Sequence, residues 1–248
     1  MRDACTRTAL PPSVPVGTVV YAIGDIHGRL DLLLRLEAMI QRDAAEIDAQ
    51  RRLIVCLGDY IDRGDNSFGV IEHLMQDAPD SFERVCLIGN HESYLLRFLD
   101  DSSVAANWMD NGGRETLSSY GVASPPWIDR AGIAEEIQAD LCAKLPAAHE
   151  WFLRSLVHSH REGDYFFTHA GVRPGVALER QKPHDLMWIR DEFLSDQRDF
   201  GAVVVHGHSI ASAPENLVNR IGVDTGAYAS GHLTCAVLFE TERRFLTT

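Results

Sequence analysis

The chain has 248 residues, a formal net charge of −13 and 45% hydrophobic residues. That length suits one domain with a full core. The acidic balance argues against nonspecific nucleic-acid binding, which needs phosphate-neutralising cations, and no apolar run approaches the roughly 20 residues that span a bilayer.

Residues 1–17 carry Arg2 and Arg7, lack an apolar stretch and are punctuated by Pro11, Pro12 and Pro15. They predict a flexible N-terminal tail rather than a signal peptide. Residues 18–248 are expected to form a single domain. Short runs rich in Val, Ile, Cys and aromatics, bounded by Gly or Asp, predict strands over 19–23, 53–57, 85–88, 165–168, 203–206, 221–223 and 233–240. Between the first of these lie two helical stripes. Leu30, Leu33, Leu34, Met39 and Ile40 form one over 30–46; Val70, Ile71, Leu74 and Met75 form the other. Strand, helix and strand in alternation imply parallel βαβ units. From 91 to 156 the strand signal vanishes, which predicts a mostly helical insertion beside the site. Within it, Trp108, Tyr120 and Trp127 are expected to pack in the core rather than line a peptide groove. The β-rich last third predicts a second sheet. The expected fold class is therefore α/β (α+β), a β-sandwich flanked by helices.

The cysteines are Cys5, Cys56, Cys86, Cys142 and Cys235, an odd number with no CxxC. Three of them sit inside strand-like runs, where a thiol behaves as a small hydrophobe. They read as reduced, which fits a cytoplasmic protein. None sits in a Cys-x5-Arg loop, which argues against a cysteine phosphatase. Nothing in the sequence demands more than a monomer.

Five segments place metal-binding or phosphate-binding side chains just after hydrophobic runs: Gly24-Asp25-Ile26-His27-Gly28, Gly58-Asp59-Tyr60-Ile61-Asp62-Arg63-Gly64, Gly89-Asn90-His91-Glu92, Thr168-His169-Ala170-Gly171 and His206-Gly207-His208. Asp25 and His27 are two apart, so at an extended strand end they point the same way and suit one cation. Asp59 has two oxygens and suits a bridge between two cations. Asn90 offers an amide oxygen, His169 and His206 imidazole nitrogens. Loops at the carboxyl ends of parallel strands converge on one crevice. Mixed oxygen and nitrogen donors suit Mn, Fe or Zn better than Ca. Arg63 and Arg190 have guanidinium forks that match phosphate oxygens. His91, beside Asn90, is placed to face a leaving group, with Asp62 to hold its ring and raise its pKa. His208 is expected beside the metal site rather than on a metal. His73, His149, His158, His160, His184 and His232 show no ligand spacing.

These motifs resemble those of the phosphoprotein phosphatase family of calcineurin-like metallophosphoesterases, whose signatures are GDxHG, GDxxDRG, GNHE, a later HxG and HGH. The resemblance spans residues 20 to about 240, with Asp62-Arg63-Gly64 its most specific piece. The stretches 186–193, Asn111-Gly112-Gly113 with Thr116-Leu117, and Asp224-Thr225-Gly226 are similar to the bacterial and phage-type serine/threonine protein phosphatases. The resemblance implies a calcineurin-like sandwich holding two divalent metals, Mn2+ first. Asp25, His27 and Asp59 would hold one metal; Asp59, Asn90, His169 and His206 would hold the other. Arg63, Arg190, Asn90 and His91 would contact the phosphoryl group, and His91 would act as general acid with Asp62 behind it. The third signature, usually His-Gly-Gly, is His169-Ala170-Gly171 here. The implied activity is phosphomonoester hydrolysis on phosphoproteins, at phosphoserine or phosphothreonine and with phosphotyrosine left open, by a hydroxide bridging two metals. The alternative is a symmetrical dinucleoside polyphosphate (diadenosine tetraphosphate) hydrolase. Such enzymes share the ligands but typically depart from Asp-Arg-Gly.

Overall fold

A computed structural model describes residues 11–125 and 132–248. Trp127 and Cys5 lie outside the described residues. Strand β1 (Thr18–Ile23) leads through helix α1 (Leu30–Ala45) to β2 (Arg51–Cys56), and α2 (Ser67–Met75) leads on to β3 (Phe82–Cys86). All three strands are parallel. The helical insertion follows as α3 (Asn90–Asp100), α4 (Ala105–Trp108), a π-helical turn at Met109–Gly113, α5 (Arg114–Ser119), α6 (Ile133–Lys144) and α7 (Ala147–Ser155). Strands β4 (Ser159–Glu162) and β5 (Tyr165–Thr168) open the second sheet. Two short helices, α8 (Pro183–Trp188) and α9 (Asp191–Leu194), precede β6 (Val203–His206). The chain ends with β7 (Glu215–Asn216), β8 (Arg220–Gly222), α10 (Ala227–Ser230), β9 (Thr234–Phe239) and β10 (Glu242–Thr247).

The two sheets run β10-β9-β1-β2-β3 and β4-β5-β6-β8-β7. The last third thus divides: β4 to β8 build the second sheet, while β9 and β10 return to the first, where β9 pairs antiparallel with β1. Alternation along the central strands explains the layering. Val20, Ala22, Leu53, Val55, Ala236 and Leu238 face the second sheet, meeting Tyr165, Phe167, Val205 and Ile221. Val19, Tyr21, Ile23, Ile54 and Cys56 face the helices, including Leu33, Leu36 and Ile40 of α1. A strand buried on both faces reads as a continuous apolar run. The α1 stripe is rotated slightly from the predicted one: Leu32 and Leu36 are buried and Leu34 is exposed. Trp108 and Tyr120 are buried in the helix-side core, as expected.

Two expectations need correction. The segment from Pro11 to Gly17 is not a free tail. The Val14 amide donates to the Glu240 carbonyl at 3.0 Å, and the Asp164 amide to the Ser13 carbonyl at 3.0 Å. The Val14 side chain enters the core between the sheets, so one apolar residue among the prolines anchors the segment. Strands β4, β7 and β10 were not predicted. All three lie at or beside a sheet margin, where charged side chains such as Arg161, Glu215 and Arg243 face water and hide the β pattern.

Candidate active site

The strands β1, β2, β3, β5, β6 and β8 deliver their carboxyl ends to one crevice at the end of the sandwich, the place where such sheets bind ligands. Backbone bonds lock the loops together. The Asp59 carbonyl accepts from the amides of Ile26 at 3.0 Å and His27 at 2.8 Å. The buried Glu92 carboxylate accepts from the Asp59 and Gly89 amides, each at 2.9 Å, and from Tyr60 at 2.7 Å. Glu92, which the sequence motif alone does not explain, is the strut between the second and third loops. Burial, then the neighbouring Asp59, raises its pKa to about 7.

Asp59 is the hub. Its Oδ2 lies 3.6 Å from His27 Nε2 and 3.7 Å from His91 Nε2, and its Oδ1 lies 3.4 Å from His169 Nε2. Burial pushes its pKa up, but His169 and His91 outweigh this and hold it well below the usual carboxylate range. Two clusters share it: His27, Asp59 and His91, and Asp59, His169 and His208. His27 Nδ1 donates to the Ile61 carbonyl at 2.8 Å and His169 Nδ1 to the Leu57 carbonyl at 2.9 Å. A carbonyl can only accept, so each ring holds its proton on Nδ1 and turns Nε2 into the crevice, the arrangement a metal-binding histidine needs. Asn90 Oδ1 stands 2.9 Å from His169 Nε2, as expected for donors converging on one point.

Asp25 lies at the same end. The His208 amide donates to both its oxygens, at 3.2 and 3.1 Å. Burial and the adjacent Asp224 raise the Asp25 pKa well above its usual value. Uncompensated acid of this kind calls for a cation. Likewise His169 is held up to about 10, because Asp59 overcomes the opposing pull of burial. The buried Nε2 atoms of His206 and His208 both lack a hydrogen-bond partner among the described residues, but only His208 clusters with Asp59 and His169. Together the donor set fits divalent metal ions.

The structure does not bring His206 into this set. Its ring packs edge-on against Phe193 at 5.1 Å, on the helix-covered outer face of the second sheet. His208 takes the expected place, with its ring 5.0 Å from that of His169. The reason is local. His206 is the last residue of β6, its side chain committed to the outer face together with Val204. The chain then reverses: His208 has φ 62°, and a Cβ on Gly207 would collide with Asp25 Oδ1. The extended spacing that puts i and i+2 on one face fails across this turn. His208→Ala should therefore lower metal affinity about a hundredfold, while His206→Ala leaves it within a few-fold. Calorimetric Mn2+ titration of both variants checks this, and equal losses would restore His206 to the ligand set.

His91 and Asp62 form a buried pair, with Nδ1 to Oδ2 at 2.6 Å. The Trp108 indole donates to the same oxygen at 2.9 Å, and the Thr116 hydroxyl to the other at 2.6 Å. Nothing in the sequence marks Trp108 or Thr116 for this task; both come from the helical insertion, which so becomes part of the site. Burial pulls the His91 pKa down, yet Asp59 and Asp62 prevail and it stands above the ordinary imidazole value. Arg63 Nη1 donates to His27 Nε2 at 2.9 Å, and its guanidinium lies over the Tyr228 ring at 4.9 Å. Arg190 is exposed at the start of α9. Two residues before it, the Trp188 ring meets the His208 ring edge-on at 6.4 Å, so Arg190 follows closely on a residue of the crevice.

The insertion also fixes Arg63. The Arg63 amide donates to the Gly112 carbonyl at 3.1 Å. Gly112 has φ 102°, and a Cβ there would lie 2.6 Å from Arg63 Cγ. Gly112→Ala should destabilise the protein by about 1–3 kcal/mol and raise KM for a phosphomonoester about tenfold. Thermal unfolding and steady-state kinetics test the two effects together.

Residues 18–235 match the profile of the calcineurin-like phosphoesterase family. Serine/threonine-protein phosphatase 1 of Salmonella typhimurium is 27% identical over 226 residues, covering 88% of this chain and 90% of that protein. The asymmetrical bis(5'-nucleosyl)-tetraphosphatase PrpE of Oceanobacillus iheyensis is 24% identical over 231 residues, covering 86% of this chain and 85% of that protein. Among solved structures, that of a putative diadenosine tetraphosphatase superposes with a TM-score of 0.66 at 22% identity, covering 96% of this chain and 98% of the other. With the family profile spanning nearly the whole fold and the crevice at its heart, the chain belongs to the calcineurin-like phosphoesterases.

Proposed function

We propose that this chain hydrolyses phosphomonoesters on proteins, phosphoserine and phosphothreonine first, as a metal-dependent cytoplasmic monomer. The observation that carries the reading is the buried Asp62–His91 pair beside Arg63. A monoester dianion needs cations on its oxygens and a proton for its departing alkoxide, and this corner supplies both. Asp25, His27, Asp59, Asn90, His169 and His208 hold two divalent ions in this reading, Mn2+ first, with Fe or Zn suited to the same donors. When bound, such ions activate water and screen phosphate charge.

The chain's own groups do the rest. Arg63 and Arg190 grip the equatorial phosphoryl oxygens and keep that grip as charge redistributes. The amide of Asn90 and Nε2 of His91 border the same space. His91 gives a proton to the leaving oxygen from Nε2, while Asp62 fixes the ring through Nδ1. Trp108 and Thr116 hold Asp62 in turn, so the acid cannot swing away.

A second reading is hydrolysis of a dinucleoside tetraphosphate, favoured by the names of the Oceanobacillus relative and of the superposed structure. One experiment separates them: metal-stripped protein with Mn2+ added back, given phosphoserine, phosphothreonine and phosphotyrosine peptides beside diadenosine tetraphosphate. Phosphate release from the peptides at a kcat/KM far above that for the dinucleotide supports the protein phosphatase. The reverse ranking overturns it in favour of the nucleotide hydrolase.

A further inference from the structure

β3 is an edge strand of the first sheet, and its Cys86 pairs in register with Cys56 of β2. Both side chains leave the sheet on the helix-covered face and join the same apolar cluster. The two thiols thus project from directly opposed positions on neighbouring strands. Neighbouring strands run about 4.8 Å apart, inside the roughly 4.4–6.8 Å Cα separation that a disulfide spans. Their accessibility differs. Cys56 is buried, whereas Cys86 is partly exposed and lines a groove of about 530 Å³, walled by Met75, Phe82, Arg84, Phe152 and Leu156.

We propose that Cys86 and Cys56 form an oxidisable dithiol: a hydroperoxide entering the groove beside β3 oxidises Cys86, and Cys56 then closes a disulfide. In the first step the Cys86 sulfur attacks one peroxide oxygen, the O–O bond breaks, and the other oxygen leaves as hydroxide or alkoxide. Cys86 is then a sulfenic acid. In the second step the Cys56 sulfur attacks the Cys86 sulfur, the S–O bond breaks, the S–S bond forms, and the hydroxyl leaves as water with the Cys56 proton. Overall, two thiols are oxidised and one hydroperoxide is reduced.

The surroundings assign the two roles. The neighbouring Cys56, and more weakly Arg84, hold the Cys86 thiol below its ordinary range. The neighbouring Cys86, and then burial, push Cys56 up. A peroxide in the groove meets Cys86 and not the buried Cys56, so Cys86 attacks as the thiolate and Cys56 resolves. The cross-link would sit directly behind the loops that carry Asp59 and Asn90.

The test is thiol-trapping mass spectrometry on the metal-free full chain exposed to dilute hydrogen peroxide. Cys56 and Cys86 should disappear together into one cross-linked peptide pair, ahead of the core residue Cys235. In Cys56→Ser, Cys86 should accumulate as a dimedone-trapped sulfenic acid; in Cys86→Ser, Cys56 should stay reduced. Oxidation of the exposed Cys142 with the pair left untouched would overturn the proposal. So would equal oxidation of Cys56 with and without Cys86. The wild-type time course decides the matter even if a variant fails to fold.

Discussion

Asp59→Asn protein should fold and release almost no phosphate. The side chain keeps its shape, and the bonds from the Asp59 backbone to Ile26, His27 and Glu92 do not involve it. What disappears is a buried negative charge within 4 Å of His27, His91 and His169. Those rings surround one carboxylate, and no other group in the described crevice faces both clusters. Loss of a single preorganised electrostatic contact lowers turnover about 10²–10³-fold. Here the change also removes the link between the clusters, so a fall of about 1,000-fold or more is expected. Metal affinity should drop at least about a hundredfold. Stopped assays with excess Mn2+ and metal analysis of the dialysed protein measure both. Ordinary turnover in this variant would end the shared-carboxylate reading.

His91→Asn is the second large effect, and its signature is selectivity. The variant removes the proton that Asp62 holds in place but leaves Asp59 and the arginines. General acid catalysis contributes about 10²–10⁴-fold, and the loss should appear in full for alkyl phosphates such as a phosphoserine peptide. Nitrophenyl phosphate, whose leaving group scarcely needs a proton, should lose much less. Asp62→Asn should show the same pattern more mildly, because it slackens the ring without deleting it. Equal losses on both substrates would remove His91 from the acid role and leave it a part of the metal environment.

Much of this was legible in the sequence because four of the five motifs follow strands whose ends are buried on both faces, and the fifth follows the edge strand β3. Asp25, Asp59, Asn90 and His169 all lie just past the end of a strand. His206 is the exception, being the last residue of its strand, whereas His208 lies past the end like the others. That offset was available in the sequence and pointed to His208. The sign of φ that turns His208 inward was not, since it depends on the packing of Gly207 against Asp25. Trp108 and Thr116 were hidden for another reason. A tryptophan in an apolar helix reads as core, and the partner that gives its N–H a purpose is 46 residues away in sequence. The role of Glu92 is invisible in the sequence because three backbone amides make no sequence pattern. The edge strands were masked by the charges that keep such edges from pairing with other chains.

Seven described residues other than glycine have positive φ, and His27, Asp59, Asp62, Arg63 and His208 are five of them. Each such residue costs on the order of 1 kcal/mol or more, in a fold whose core is otherwise regular and closely packed. The crevice is thus a local deficit in an otherwise well-settled molecule. A search for heat-resistant variants by random mutagenesis should return glycine or asparagine at these five positions, and the hardiest of those proteins should be inert.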